Sequence, residues 1–166
     1  MPKLRIVRFN STLPAIDITE IPTSLDEVSL RGLSVRVDGS ARAKHLLLAG
    51  TRVPDVDALW RTEGVEQLTV AMPVLPPWIR ASPSVSSLHI ECNGRDEDIE
   101  AMLASCGDAL ERVTLRHERV SDRILETLAR FPKLRFVDVV DTCVTKEALR
   151  AFLEKRPGVR SLPKLE

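Results

Sequence analysis

The segment Phe131-Pro132-Lys133-Leu134-Arg135-Phe136-Val137-Asp138-Val139-Val140-Asp141-Thr142-Cys143-Val144-Thr145-Lys146-Glu147-Ala148-Leu149 holds a strand, a turn and a helix start in one short run. Leu134, Val137 and Val139 follow a pattern of apolar, two variable, apolar, variable, apolar. Val137 and Val139 then share one side of an extended chain, with Phe136 and Asp138 on the other, as a strand with one buried face requires. Thr145 is an N-cap residue type, and Glu147 falls in the first turn. Ala148, Leu149, Phe152 and Leu153 recur at three- and four-residue spacing, the signature of an amphipathic helix.

The same apolar triplet recurs seven times: Leu4-Val7-Phe9, Leu25-Val28-Leu30, Ala43-Leu46-Leu48, Val65-Leu68-Val70, Val85-Leu88-Ile90, Leu110-Val113-Leu115 and Leu134-Val137-Val139. Val159-Leu162 begins an eighth. Successive first residues are 21, 18, 22, 20, 25, 24 and 25 positions apart, a rhythm that chance apolar clustering does not keep. Each copy predicts one strand. Helices are predicted over 96–103, 121–128 and 145–153, opened by Asp96, Ser121 and Thr145, with Pro132 and Pro157 just past helix ends. The connectors Ser34–Ser40 and Pro73–Ile79 carry Gly or Pro and read as extended or 3-10 segments.

These residues resemble the leucine-rich repeats, in particular the ribonuclease-inhibitor-like kind that pairs one strand with one helix. Thr51-Arg52-Val53 and Glu118-Arg119-Val120-Ser121 repeat the junction seen at Thr142-Cys143-Val144-Thr145. The resemblance implies an α/β solenoid over 1–166: about seven parallel strands on a concave face, helices on the convex side of the C-terminal repeats, irregular or 3-10 segments in the N-terminal ones. It also implies Asn or Cys three positions after the last strand residue. Those positions hold Thr12, Leu33, Thr51, Pro73, Asn93, Glu118 and Thr142, so Asn93 alone has the expected type.

Composition narrows function by exclusion. Lys plus Arg and Asp plus Glu each total 24, so no global charge draws the chain to nucleic acid or an anionic membrane. No apolar run reaches the length of a membrane span, and the N-terminus lacks the apolar core of a signal peptide. Cys92, Cys106 and Cys143 are odd in number and widely spaced, unlike a disulfide framework. A cytoplasmic location is the expectation.

No motif for catalysis or for a cofactor emerges. His89, Cys92, Cys106 and His117 are zinc-ligating types, but the register scatters them. Asp96, Asp98 and Glu100 alternate like a calcium loop without its glycine and distal glutamate. Cys143, in a tight turn, reads as structural, and Trp60 and Trp78 read as packing residues on the connector side.

The strand register places three ladders on the face opposite the core. The first runs Ile6, Glu27, His45, Gln67, Ser87, Arg112, Phe136; the second Arg8, Ser29, Leu47, Thr69, His89, Thr114, Asp138; the third Asn10, Arg31, Ala49, Ala71, Glu91, Arg116, Val140. His89, Glu91, Arg112, Thr114, Arg116, Phe136 and Asp138 fall in one small area, rich in the types found at binding hot spots. The alternative reading of the same residues is a solvated strand face with local ion pairs, Glu91 beside Arg116 among them. The expected function is a non-catalytic module that binds another protein, as an adaptor, inhibitor or immunity-type factor. Regulation of a nucleotide-hydrolysing switch, or a structural place in a larger assembly, are the alternatives.

Overall fold

Alternation within each apolar triplet becomes, in the computed structural model, a strand with one face in a shared core. The structure describes residues 5–10, 16–18, 25–32, 35–37, 43–50, 64–75 and 81–163. Ten strands are β1 (Ile6–Asn10), β2 (Ile16–Ile18), β3 (Leu25–Gly32), β4 (Val35–Val37), β5 (Ala43–Gly50), β6 (Gln67–Met72), β7 (Ser87–Cys92), β8 (Arg112–Arg116), β9 (Phe136–Asp138) and β10 (Arg160–Leu162). The helices among the described residues are α1 (Asp96–Leu103), α2 (Arg123–Leu128) and α3 (Lys146–Lys155).

Eight strands form one parallel sheet in the order β1-β3-β5-β6-β7-β8-β9-β10. The pairing follows chain order, so each repeat touches only its neighbours, as in a solenoid. The partial eighth copy also forms a strand, but one residue out of the expected register: Ser161, not Leu162, stands opposite core Val137. In the first half of the chain, β2 and β4 pair as a second, two-stranded parallel sheet, with Ile16 opposite Val35. The 34–40 connector is thus extended at Val35–Val37, the first of the two conformations expected there. Trp60, Trp78 and the Thr51 junction lie outside the described residues.

The core is the sum of the apolar triplets and the inner faces of the helices. Leu68, Leu88, Val113 and Val137 sit beside Val70, Ile90 and Leu115, packed against Ile99, Met102, Leu103, Ile124, Leu128 and Leu149. Each such side chain, fully buried, contributes about 1.5–3 kcal/mol relative to exposure. Gly107 permits a close approach, since a Cβ there would lie 2.5 Å from the Pro83 carbonyl oxygen.

Two of the three expected helix caps work differently. Thr145 does cap α3, accepting from Ala148 N–H at 3.2 Å. Asp96, and Asp122 beside the expected Ser121, instead reach forward into the next repeat. Asp96 accepts from the Ser121 N–H at 3.0 Å and also from the Ser121 hydroxyl. Asp122 accepts from the Thr145 N–H at 2.6 Å and its hydroxyl at 2.9 Å. A carboxylate in one repeat therefore holds the helix entry of the next, and Lys146, at the equivalent position, ends the series.

The turn after β9 shows a second difference. Thr142 donates to the Val139 carbonyl at 2.6 Å and accepts from Val144 N–H at 3.2 Å, the part the resemblance gives to Asn. Asn93 is exposed, and the turn after β7 is held by backbone, Asn93 N–H donating to the Pro73 carbonyl at 3.2 Å. A threonine hydroxyl can both donate and accept, which suffices for this turn.

Asp96 is 8 % exposed, so its removal strands two donors at the repeat junction. Asp96→Ala is expected to lower the unfolding free energy in urea by about 2 kcal/mol, and Asp96→Asn by about half as much. A loss no larger than that of a surface substitution would show that the junction does not depend on this carboxylate.

Candidate functional site

The sheet has one face against the core and one open face, and strand periodicity decides which side chains reach each. Ile6, Glu27, His45, Gln67, Ser87, Arg112 and Phe136 align across seven strands, and Arg160 of β10 extends the row opposite Phe136. Arg8, Ser29, Leu47, Thr69, His89, Thr114 and Asp138 form the second row, to which Leu162 is added. The third row aligns from Asn10 through Arg31, Ala49, Ala71 and Glu91 to Arg116. It stops there because β9 ends at Asp138, before Val140 can pair.

Within this face the expected residues divide into two groups. Arg112 lies over the Phe136 ring, 5.0 Å from its centroid, the two being cross-strand partners. Stacking a guanidinium on an aromatic face stabilises both side chains in extended poses. Arg112 stays exposed and Phe136 half-buried. Glu91 is exposed, 3.7 Å from His89 on its own strand. Thr114 is half-buried.

Arg116 and Asp138 belong to the second group. Arg116 does not pair with Glu91. Its Nη2 donates to Asp138 Oδ2 at 2.7 Å, and its Nη1 lies 3.4 Å from Asp141 Oδ2. Asp138 is only 5 % exposed, and its Oδ1 accepts from the Val140 N–H at 3.1 Å. The chain turns there, with Asp141 in the left-handed region at φ 62°, and this turn folds over Asp138. Alternation placed Asp138 on the open face correctly; the turn that covers it has no period to be read from.

At the other end of the face, Arg8 grips Glu27 with two hydrogen bonds, Nε to Oε1 at 2.7 Å and Nη2 to Oε2 at 3.1 Å. These bonds hold the Glu27 carboxyl below its usual range. That pair was not anticipated. Its signal was present in the register, since Arg8 lies opposite Ser29, two positions from Glu27, within diagonal reach of long side chains.

The zinc-ligating types do not converge in one place. His89 and Cys92 point to opposite faces of β7, with Cys92 in the core. Cys106 is half-buried beside the end of α1, its Sγ 3.8 Å from the Met102 carbonyl. Burial pushes the thiols of Cys92 and Cys106 up to about 12, with the Asp98 charge adding to the effect at Cys92. Both are therefore uncharged thiols at neutral pH, while Cys143 is exposed. No helix among the described residues is long and apolar enough to cross a membrane.

The chain matches no family model, no curated protein and no solved structure.

Two outcomes follow from these environments. Arg116→Ala leaves Asp138 buried with one backbone partner, and is expected to cost about 2 kcal/mol in chemical denaturation. Adding Asp138→Asn, which keeps an acceptor for Val140 without the charge, should restore part of the loss; an Arg116→Ala chain as stable as the parent would show that Asp138 does not depend on this guanidinium.

For the thiols, an alkylating reagent at neutral pH should label Cys143 and spare Cys92 and Cys106. Above pH 9, the unfolded chain releases these two thiol protons while the folded chain keeps them. Stability should therefore fall from about pH 9 to about pH 12, and fall less in a Cys92→Ala/Cys106→Ala chain, as pH-dependent melting would reveal.

Proposed function

We propose that this chain is a leucine-rich-repeat module of the ribonuclease-inhibitor-like kind that binds another protein through the open face of its parallel sheet, without catalysis of its own. The observation that carries this reading is the Arg112–Phe136 stack. It is a cationic and aromatic pair fixed in place on a face that no helix among the described residues covers, continued by Arg160 in the same row.

Arginine and aromatic side chains dominate binding energy because each combines a large apolar surface with a polar group of fixed direction. Preorganisation matters too, since a stacked pair loses less side-chain freedom on association than two mobile ones. Around it, Glu91 and His89 supply polar groups for a rim, and Leu47, Ala49, Thr69 and Ala71 give a flatter, more apolar centre. Arg116 and Asp138, bonded to each other, act in this reading as the floor that holds the C-terminal rows in register.

The test uses immobilised full-length chain and proteins captured from cells that make it. An Arg112→Glu/Phe136→Ala variant with unchanged melting temperature should lose specific partners by at least about thirtyfold in affinity, the size of a hot-spot pair. Equal retention of every specific partner by parent and variant would place binding elsewhere.

A further inference from the structure

Ion pairs set the local charge balance at several places among the described residues. At the strand entrances of the first repeats, Arg5 pairs with Asp26 at 2.5 Å and Lys44 with Glu66 at 3.9 Å. On the open face, Arg8 pairs with Glu27. On the helical side, a cleft of about 560 Å³ between α1 and α2 contains Glu97, Glu100 and Arg123, and there Arg123 bridges the two acids at 3.1 and 2.8 Å.

A second cleft, of about 450 Å³, lies where the entrances to β9 and β10 meet the end of α3, and its lining carries one sign of charge. Nine residues line it; four are Lys133, Arg135, Lys155 and Arg156, and none is acidic. Among the described residues, Lys133, Arg135 and Lys155 make no ion pair. Glu111 stands at the equivalent position one strand before Arg135, and its carbonyl accepts from the Arg135 N–H at 2.8 Å. Its carboxylate nevertheless makes no bridge to that guanidinium.

Arg156 is held rigidly, donating to the carbonyls of Ala129 at 2.5 Å and Phe131 at 2.7 Å. Neutral carbonyls satisfy its hydrogen bonds without cancelling its charge. The cleft wall is thereby fixed by the same group that keeps it positive. Pro132 and Pro157 stiffen the two lining loops.

We infer that this cleft is an oxyanion-binding site, and that its occupant is a carboxylate-rich segment of the protein partner. The identity of the occupant as protein rests on the open-face reading; the anion preference rests on the cleft alone. Chain continuity joins the two surfaces, because Arg135 is followed by Phe136, and Val159 by Arg160, both in the first open-face row. A partner seated over Phe136 and Arg160 can run an extended acidic stretch into the cleft.

Carboxylates suit it on two grounds. Arg135 offers a planar fork matched to a carboxylate, with Lys133 and Lys155 as flanking point charges. A nucleic acid would need a base-stacking platform and a broad basic field. The adjoining open-face ring, Phe136, already has one face covered by Arg112, and the chain as a whole carries no net charge.

The experiment measures anisotropy of a labelled octaglutamate peptide titrated with full-length chain at low salt. One saturable site is expected, weakening as salt rises. Lys133→Glu/Arg135→Glu should weaken binding at least about tenfold with an unchanged melting curve, as for reversal of rim charges. Lys133→Gln/Arg135→Gln serves if the reversal impairs folding, and Arg123→Glu, in the other cleft, should change nothing.

Unaltered peptide binding in both cleft variants would overturn the inference, as would a single-stranded oligonucleotide of equal charge binding the same cleft as tightly. Loss of peptide only in Arg112→Glu/Phe136→Ala would also overturn it while leaving the open-face reading intact. Loss of peptide only in the cleft variants, with captured partners indifferent to Arg112 and Phe136, would uphold the cleft and remove the open face.

Discussion

No single repeat of this chain can bury its own apolar side. A strand of three to eight residues with one apolar face, followed by a short helix or a second extended segment, leaves Leu, Val and Ile side chains exposed unless another repeat stacks on each side. From that constraint follow the eight parallel strands in chain order, the shared row positions, and a core with no centre, only a line. Polar devices then fix the stacking distance. The carboxylates of Asp96 and Asp122 hold the helix entry of the following repeat, and the backbone carbonyls of Arg5, Lys44, Glu66, Ser86, Glu111 and Arg135 each accept from the next strand entrance.

Register gives a linear core one continuous open face. Parallel strands pair about 4.8 Å apart, so a side chain's neighbours are the same positions in adjacent repeats, however distant in sequence. Arg112 meets Phe136, and Phe136 meets Arg160, at separations of 24 residues each. The same rule brings Arg116 to Asp138. One pair remains open to solvent, whereas Asp138 of the other is buried and bonded to the backbone of the turn that follows it. The face is thus built in two depths: a buried ionic floor and an exposed cationic and aromatic row above the last strands.

The periodic features were legible in the amino-acid order. The apolar triplets gave every strand from β3 to β9 of the main sheet, apart from small shifts at their ends, and the first two ladders match the register residue for residue. α1 spans the predicted 96–103, while α2 begins two residues late because Ser121 and Asp122 are engaged in repeat-to-repeat bonds. The pairing of β2 with β4 was not legible: three-residue strands have too little periodicity to announce a partner. The Glu91–Arg116 pair of the alternative reading failed for a related reason. Adjacency in a row says which residues are near, but not which of several nearby carboxylates a flexible guanidinium takes.

Sequence by itself determined the repeat, the face on which each strand residue lies, and the absence of any dominant charge, because all three depend only on spacing and composition. Tertiary structure decided which of those facing residues are available. Asp138 is covered by the turn through Asp141, Thr142 replaces the expected asparagine, and Lys133, Arg135, Lys155 and Arg156 converge from two separate loops into one cleft. The physical reason is that burial and charge balance are properties of neighbourhoods. A neighbourhood here is assembled from residues about one repeat apart, whose loop paths no local pattern specifies.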